Sequence, residues 1–360
     1  MSLFVGDSYQ LIKKIPDERI HCVVTSPPYW GLRDYGVNGQ IGLEQSPELY
    51  VRKLVLIFRE IRRTLVKNGT IWLNIGDSYY GSGKGVGQTD FTNSPKQNTN
   101  AGSHVSLTQK PNSLKKHAFL KPKDQIGIPW RVALALQEDG WFLRSDIIWH
   151  KPNPMPESVL DRPTRSHEYV FLLAKNSDYY YNHIAVQEDC VSSDKDRERM
   201  KSAAKRINSK YDEDSDLKLA GSGSKIKTTA TVGNGEKRNR RSVWTIAPSN
   251  FRDAHFATFP EKLVEPCIQA GCPKGGVVLD PFAGSGTVGV VAERMGRKFI
   301  GFELNPEYAA IARKRLGYEP RATDHQPSEK KSEPTRTEQV GSADDEGDRK
   351  DHRDAHSSCT

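Results

Sequence analysis

Val277-Val278-Leu279-Asp280-Pro281-Phe282-Ala283-Gly284-Ser285-Gly286-Thr287-Val288-Gly289 constrains this chain more than any other segment. The aliphatic run reads as a buried strand, Gly284 to Gly286 as a tight turn, and Thr287 as the first residue of a helix. A second strand over 298–302 ends at Glu303, 19 residues after Gly284. Strand, glycine turn, helix and strand make a βαβ unit, which requires a largely parallel sheet covered by helices. The glycines let a ligand approach the backbone, and an acid at the second strand's end can bind ribose hydroxyls.

Asp280 sharpens that reading. A pyrophosphate at the turn would be repelled by the carboxylate at the strand's end, although Gly284, Gly286 and Gly289 satisfy the dinucleotide spacing. S-adenosylmethionine has no phosphate and carries an ammonium and a sulfonium instead. The acid therefore favours S-adenosylmethionine over NAD. A dinucleotide site, and a turn that only packs helix on strand, are the other readings.

The rest of the chain extends the alternation. Residues 20–25 are a β-rich run stopped by Ser26-Pro27-Pro28. Apolar residues recur at helical spacing over 48–67, where Asn68-Gly69 predicts the stop. Strands are expected at 70–75, 141–149, 167–174, 179–181 and 276–279, and helices at 128–138, 260–270, 287–295 and 306–316. A Pro-rich loop spans 151–165. The expected fold is α/β and Rossmann-like, a mostly parallel sheet of about seven strands with helices on both faces, plus irregular insertions.

Charge is unevenly spread. The chain carries a formal +8. Residues 81–125 hold 7 basic and 2 acidic side chains, and 191–241 hold 14 and 8. These two polar insertions carry the whole basic excess of residues 1–320, which points to a polyanionic partner such as nucleic acid. The tail after about Pro320 is acidic and poor in aliphatics, and is expected to be disordered. No apolar run nears the roughly 18 residues of a membrane span, and the N-terminus lacks a signal-peptide pattern, so no membrane partner and a cytoplasmic location are expected. Five unpatterned cysteines argue against a disulfide framework and a structural zinc, and no metal is expected. Cys267 falls within an amphipathic helix pattern and reads as core.

Val23-Val24-Thr25-Ser26-Pro27-Pro28-Tyr29-Trp30 ends a strand with a hydroxyl, a stiff Pro-Pro and two aromatics. The prolines fix the backbone and present carbonyls without N–H donors. Ser26 and the Pro27 carbonyl can accept from an amino group, and Tyr29 offers a ring on which a base can stack. Taken alone, such a loop is equally a plain turn.

Together the two segments resemble the DNA amino-methyltransferases, in the permuted β-type order with the catalytic segment first. The Thr25-Ser26-Pro27-Pro28-Tyr29 form resembles the N4-cytosine branch, since the N6-adenine branch usually has Asp or Asn where this chain has Ser26. Asp146-Ile147-Ile148-Trp149-His150-Lys151-Pro152-Asn153, Arg162-Pro163-Thr164-Arg165-Ser166-His167-Glu168-Tyr169 and His255-Phe256-Ala257-Thr258-Phe259-Pro260 add to the likeness, which spans about residues 4–317 outside the insertions. It implies methyl transfer from S-adenosylmethionine to a flipped-out base in double-stranded DNA, most simply cytosine N4. It implies a catalytic role for Ser26, Pro27, Pro28 and Tyr29. Cofactor contacts carry over to Asp280, Phe282, Gly284, Gly286, Thr287, Glu303 and Asn305, with Asp7 near the adenine and Phe256 and Thr258 closing over the cofactor. The implied organisation is a catalytic half over 1–80 and 126–184, a basic insertion at 81–125, target recognition over 185–242, a cofactor half over 243–318 and a charged tail over 319–360. DNA contacts are expected at Arg238, Arg240, Arg241, Lys115 and Lys116. A restriction endonuclease would be a functional partner. An N6-adenine enzyme is the alternative within the class. A nicotinamide oxidoreductase and a non-catalytic nucleic-acid-binding protein are alternatives outside it.

Overall fold

Alternation within two neighbouring strands sets the architecture. In β2 (Ile20–Thr25), Cys22 and Val24 bury toward one side and Val23 toward the other. In β3 (Leu65–Ile75), Trp72 faces the first side while Ile71 and Leu73 face the second. A strand apolar on both faces must lie in a sheet covered twice. The first cover is α4 (Glu261–Gly271), α5 (Thr287–Arg294) and α6 (Pro306–Leu316), through Val264, Ile268, Val291 and Ala312. The second is α1 (Ser8–Ile12), α2 (Pro47–Thr64) and α3 (Ile128–Glu138), through Ile12, Leu54, Phe58 and Val132.

This computed structural model describes residues 2–80, 117–189, 198, 202, 237–248 and 259–318. All of them belong to one unit, Met1–Arg321; the second unit, Ala322–Thr360, lies outside the described residues. So do most of both basic insertions and the expected charged tail.

The remaining strands are β1 (Ser2–Val5), β4 (Phe142–His150), β5 (His167–Ala174), β6 (Glu188–Asp189), β7 (Lys237–Arg238), β8 (Val243–Thr245), β9 (Val277–Asp280) and β10 (Lys298–Glu303). Eight of the described strands form one sheet in the order β1-β10-β9-β2-β3-β5-β4-β8, against the seven or so expected. Only β5 runs antiparallel to its neighbours, β3 and β4. β6 and β7 make a separate antiparallel pair.

The two edge strands were not legible. β1 lies beside β10, next to the C-terminal elements, and β8 lies beside β4 at the opposite edge.

Two local expectations need correction. Asn68-Gly69 does not stop the long helix. α2 ends at Thr64, and Leu65 turns straight into an extended strand with φ −69° and ψ 137°. β2 pairs Ile20 with Leu65 and then Cys22 with Thr70, so Asn68 and Gly69 lie in the irregularity that absorbs the slip. Residues 179–181 are not a strand either. Tyr180 N donates to Asn68 O at 2.9 Å and the Tyr181 ring stacks on Trp72, so this segment docks by a single backbone bond and a ring contact rather than as a strand. Pro260 caps its helix from one position earlier than the first turn.

The chain leaves β2 through α2 toward β3, and leaves β9 through α5 toward β10, in opposite directions along the sheet. Right-handed crossovers then put α2 and α5 on opposite faces, which opens a crevice at the carboxyl ends of β2 and β9. Both segments singled out in the sequence sit there.

Candidate active site

β2 and β9 are hydrogen-bonded neighbours, with Cys22 opposite Val278 and Val23 opposite Leu279. Their pairing carries Thr25 and Asp280, 255 residues apart, to the same end of the sheet. Thr25 Oγ1 donates to Asp280 Oδ1 at 2.7 Å, and the Phe282 amide donates to the same oxygen at 3.0 Å. Asp280 is 1% exposed. Burial pushes its carboxyl up to about 7, which those two donors oppose and nearby Glu303 reinforces.

The glycine turn follows. Gly284 and Gly286 have φ of +52° and +79°, in the left-handed region that favours glycine. A Cβ on Gly284 would meet nothing within 4 Å, so this position faces open space. A Cβ on Gly289 would stand 2.7 Å from the Phe299 ring, so the third glycine serves helix-to-strand packing. Glu303 closes the turn: Oε2 accepts from Gly284 N at 2.7 Å and Oε1 from Asn305 N at 2.8 Å. Burial raises the Glu303 carboxyl above its ordinary range.

The N-terminal segment reaches the same place. Gly6 N donates to Glu303 O at 2.9 Å, and Ser8 Oγ donates to Pro281 O at 2.5 Å. Asp7 caps α1 by accepting from Gln10 N at 2.9 Å.

Two sequence-predicted cofactor residues are engaged within the protein. Asn305 caps α6 by accepting from Glu307 N at 2.9 Å, and Thr287 Oγ1 accepts from Arg315 Nη1 at 3.2 Å. Both are buried. Phe256 and Thr258 lie outside the described residues.

Across the crevice, the loop after β2 is held from three sides. Tyr50 of α2 donates its hydroxyl to Pro28 O at 2.9 Å, so this carbonyl is turned inward rather than toward the crevice. Gly76, just after β3, leaves room for Tyr29: a Cβ there would stand 2.5 Å from the ring. The Tyr29 hydroxyl donates to Glu168 Oε2 at 2.7 Å, and Ser26 Oγ donates to Tyr29 Oη at 3.4 Å. Burial, followed by the Glu168 charge, raises the Tyr29 phenol well above its usual range, so it stays protonated as a donor. Glu168 Oε2 also accepts from Asn74 Nδ2 at 3.2 Å, and Lys151 Nζ bonds Glu168 Oε1.

Thr25, Tyr50, Asn74, Lys151 and Glu168 were not among the predicted site residues. Lys151 and Glu168 do fall in the two runs that carried the family likeness. Their meeting with Tyr29 depends on the antiparallel placement of β5 between β3 and β4, which no local pattern reveals.

The expected DNA-contacting residues are placed differently. Lys115 and Lys116 lie outside the described residues. Arg238 Nε and Arg241 Nε both donate to Glu188 Oε1, at 2.9 and 2.5 Å, and Arg240 stacks on Trp244 at 4.7 Å. Arg241 keeps 65% of its side chain exposed. Trp149 is 3% exposed with its indole N–H bonded to Ile246 O, and so is core. Cys267 is likewise core, its thiol pushed up by burial. Among the described residues no group of His, Cys, Asp or Glu could hold a metal ion, and no helix is long and apolar enough to cross a membrane. A charged crevice lined by Asp17, Arg59, Arg63, Asp139 and Lys175 lies at the other end of the strands, with its charges paired.

Comparison with known proteins gives the family. Residues 20–314 match the family of N6/N4 DNA methylases. The chain is 45% identical over 315 residues to the Type II methyltransferase M.Cfr9I of Citrobacter freundii, covering 88% of this chain and 87% of that one. It is 45% identical over 314 residues to the Type II methyltransferase M.SmaI of Serratia marcescens, covering 87% and 90%. Among solved structures it resembles the PvuII DNA methyltransferase (cytosine-N4-specific), with a TM-score of 0.55 at 21% identity, covering 88% of this chain and 86% of that one. That likeness is one of fold.

Proposed function

The chain belongs to the N6/N4 DNA methylase family, and from that premise we propose that it methylates the exocyclic N4 of cytosine in duplex DNA at a specific sequence. Its class, an S-adenosylmethionine-dependent DNA methyltransferase, comes with the family. The observation that carries the base assignment is the neutral hydroxyl of Ser26 at the head of the catalytic loop, where an adenine-directed site would carry an acid or amide.

The residues of the glycine turn fit the cofactor. Asp280 and Glu303 bring two carboxylates to the crevice, and they accept from the Thr25 hydroxyl and from the Phe282, Gly284 and Asn305 backbone amides. Such a set suits a cation and ribose hydroxyls and repels phosphate. The open space before Gly284 lets a ligand lie against the backbone. When bound, S-adenosylmethionine supplies an electrophilic methyl group on a sulfonium.

The chain's own residues act on the base. An exocyclic amine inside a duplex is out of reach, so the target base must leave the stack. Its amino lone pair is delocalised into the ring. With the Pro28 carbonyl engaged by Tyr50, Ser26 Oγ and the Pro27 carbonyl are the acceptors that hold the two amino hydrogens and favour a pyramidal nitrogen. Tyr29 supplies a ring for stacking. These contributions are positioning and electrostatic, with no covalent enzyme intermediate.

Recognition of sequence is assigned to 185–242, with backbone contacts from 81–125. Arg241 is the strongest described candidate for a phosphate contact, because it shares Glu188 with Arg238 and is the more exposed of the two. The Type II naming of the relatives supports a cognate restriction endonuclease as functional partner.

Nucleoside mass spectrometry after incubating purified protein with duplex DNA and methyl-deuterated S-adenosylmethionine tests the reading. Labelled N4-methylcytosine is the expected product. Labelled N6-methyladenine would overturn the base assignment and keep the class.

A further inference from the structure

Glu168 is the hub of a network that the reaction as described leaves unused. Its carboxylate sits on antiparallel β5, 15% exposed, and receives three donors: Lys151 Nζ on Oε1, and Tyr29 Oη and Asn74 Nδ2 on Oε2. Lys151 comes from the residue after β4, lies 4.3 Å over the Trp149 ring and is itself 19% exposed. Asn74 is pinned independently, since its Nδ2 also donates to Tyr169 O at 3.1 Å. The carboxylate is therefore held in one orientation from two sides.

That orientation fixes hydrogens. A tyrosine hydroxyl has one, and three acceptors lie in reach: Glu168 Oε2 at 2.7 Å, Asn74 Oδ1 at 3.2 Å and Ser26 Oγ at 3.4 Å. The nearest, charged acceptor takes it. Tyr29 Oη then turns its lone pairs outward, toward Ser26 Oγ at 3.4 Å. The Ser26 hydrogen can point there, which leaves only lone pairs on the far side of the serine oxygen.

We propose that Glu168, locked by Lys151 and Asn74, is a positioning residue that acts through Tyr29 to make Ser26 Oγ a pure acceptor toward the target base. This rests on the reading above that Ser26 faces an exocyclic amine. A serine hydrogen aimed at that amine would oppose it donor to donor. Aimed at Tyr29, it leaves an oxygen that accepts an amino N–H and rejects a base bearing a carbonyl at the same place. The network thereby selects an amino-bearing pyrimidine over thymine or uracil.

Glu168→Gln keeps the shape and reverses the polarity. Lys151 can donate only to the amide oxygen, so the amide nitrogen donates to Tyr29 Oη, competes there with the Ser26 hydrogen, and moves the Tyr29 hydrogen onto Asn74 Oδ1 or Ser26 Oγ, the acceptors left within reach. The experiment is a double-mutant cycle of Glu168→Gln and Tyr29→Phe, read by single-turnover methyl transfer on duplex DNA, with cofactor and duplex affinities and thermal unfolding measured beside it. Each single variant should lose about tenfold in rate, within the range of coupled networks, with both affinities and the melting temperature close to wild type. The double variant should be no slower than the slower single, because residue 168 then has no hydroxyl to direct. Losses that multiply in the double variant, or a Glu168→Gln rate equal to wild type, would overturn the proposal. A wild-type chain that methylates cytosine while these variants behave additively leaves the function standing and removes only this inference. A wild-type chain that methylates no DNA removes both.

Discussion

Replacing Ser26 with alanine is expected to slow methylation by about 10²-fold or more while leaving cofactor affinity within about twofold. The magnitude is that of removing one preorganised electrostatic partner from a reacting centre. The separation follows from the geometry. Ser26 Oγ is bonded to Tyr29 Oη on the β3 and β5 side of the crevice. The acids of the glycine turn are bonded to Thr25 and to backbone amides on the other side. Deleting one hydroxyl from a half-buried loop leaves Pro28 tied to Tyr50 and the Tyr29 ring seated over Gly76. The fold should therefore survive. Single-turnover rates with calorimetry on the same preparations check both halves. A rate within threefold of wild type would remove Ser26 from the chemistry.

Asp280→Asn should abolish measurable binding of S-adenosylmethionine and leave the melting temperature near that of wild type. Asparagine keeps an acceptor for Thr25 Oγ1 and the Phe282 amide, so the turn retains its internal bonds. It removes only the charge, whereas alanine would also release both donors. Burial holds the wild-type carboxyl at about 7, so near neutrality part of the protein carries a neutral acid. A cationic ligand favours the ionised form. Affinity should be full above about pH 7 and fall as pH drops below it, by up to roughly tenfold per unit until the carboxyl of the complex itself titrates. Calorimetry between pH 5 and 8, in buffers of different ionisation enthalpy, should also show proton release on binding near neutrality. Undiminished affinity in the asparagine variant, or wild-type binding of NAD, would contradict the assignment of the turn.

Where sequence and structure agree, the determinants are local. Residues 20–25, 128–138, 167–174 and 306–316 begin and end as elements where the sequence says they do; the two helices are bounded by Gly127 and by Asn305 and Gly317, and the first strand is stopped by Ser26-Pro27. The glycine turn is legible for the same reason: left-handed backbone at Gly284 and Gly286 tolerates little else. Errors arise where tertiary pairing overrides a local signal. Asn68-Gly69 carries a stop signal, yet the pairing of β3 with β2 absorbs it as an irregularity. Of the strand-like tyrosines at 179–181, Tyr181 stacks on Trp72 and Tyr180 bonds the Asn68 carbonyl, without forming a strand.

The site divides in the same way. Asp280 and Ser26 announce themselves by their neighbours in the chain. Glu168 is 139 residues from Tyr29, and Asn74 is 94 from Glu168; both contacts exist because β5 runs against β3 with Asn74 opposite Val170. The basic insertions gave a correct sum of charge but no geometry. At their described end, Glu188 already engages two of the three arginines.

The central claim is that this chain places a methyl group on cytosine N4 at a defined duplex sequence. The most direct measurement is modification-sensitive sequencing of DNA from cells expressing the wild-type chain, against cells expressing the Ser26→Ala variant. N4-methylcytosine is expected at every copy of one short sequence in the first sample and nearly absent from the second. Modified adenine at a recurring sequence, or the same N4-methylcytosine with and without Ser26, would contradict the claim.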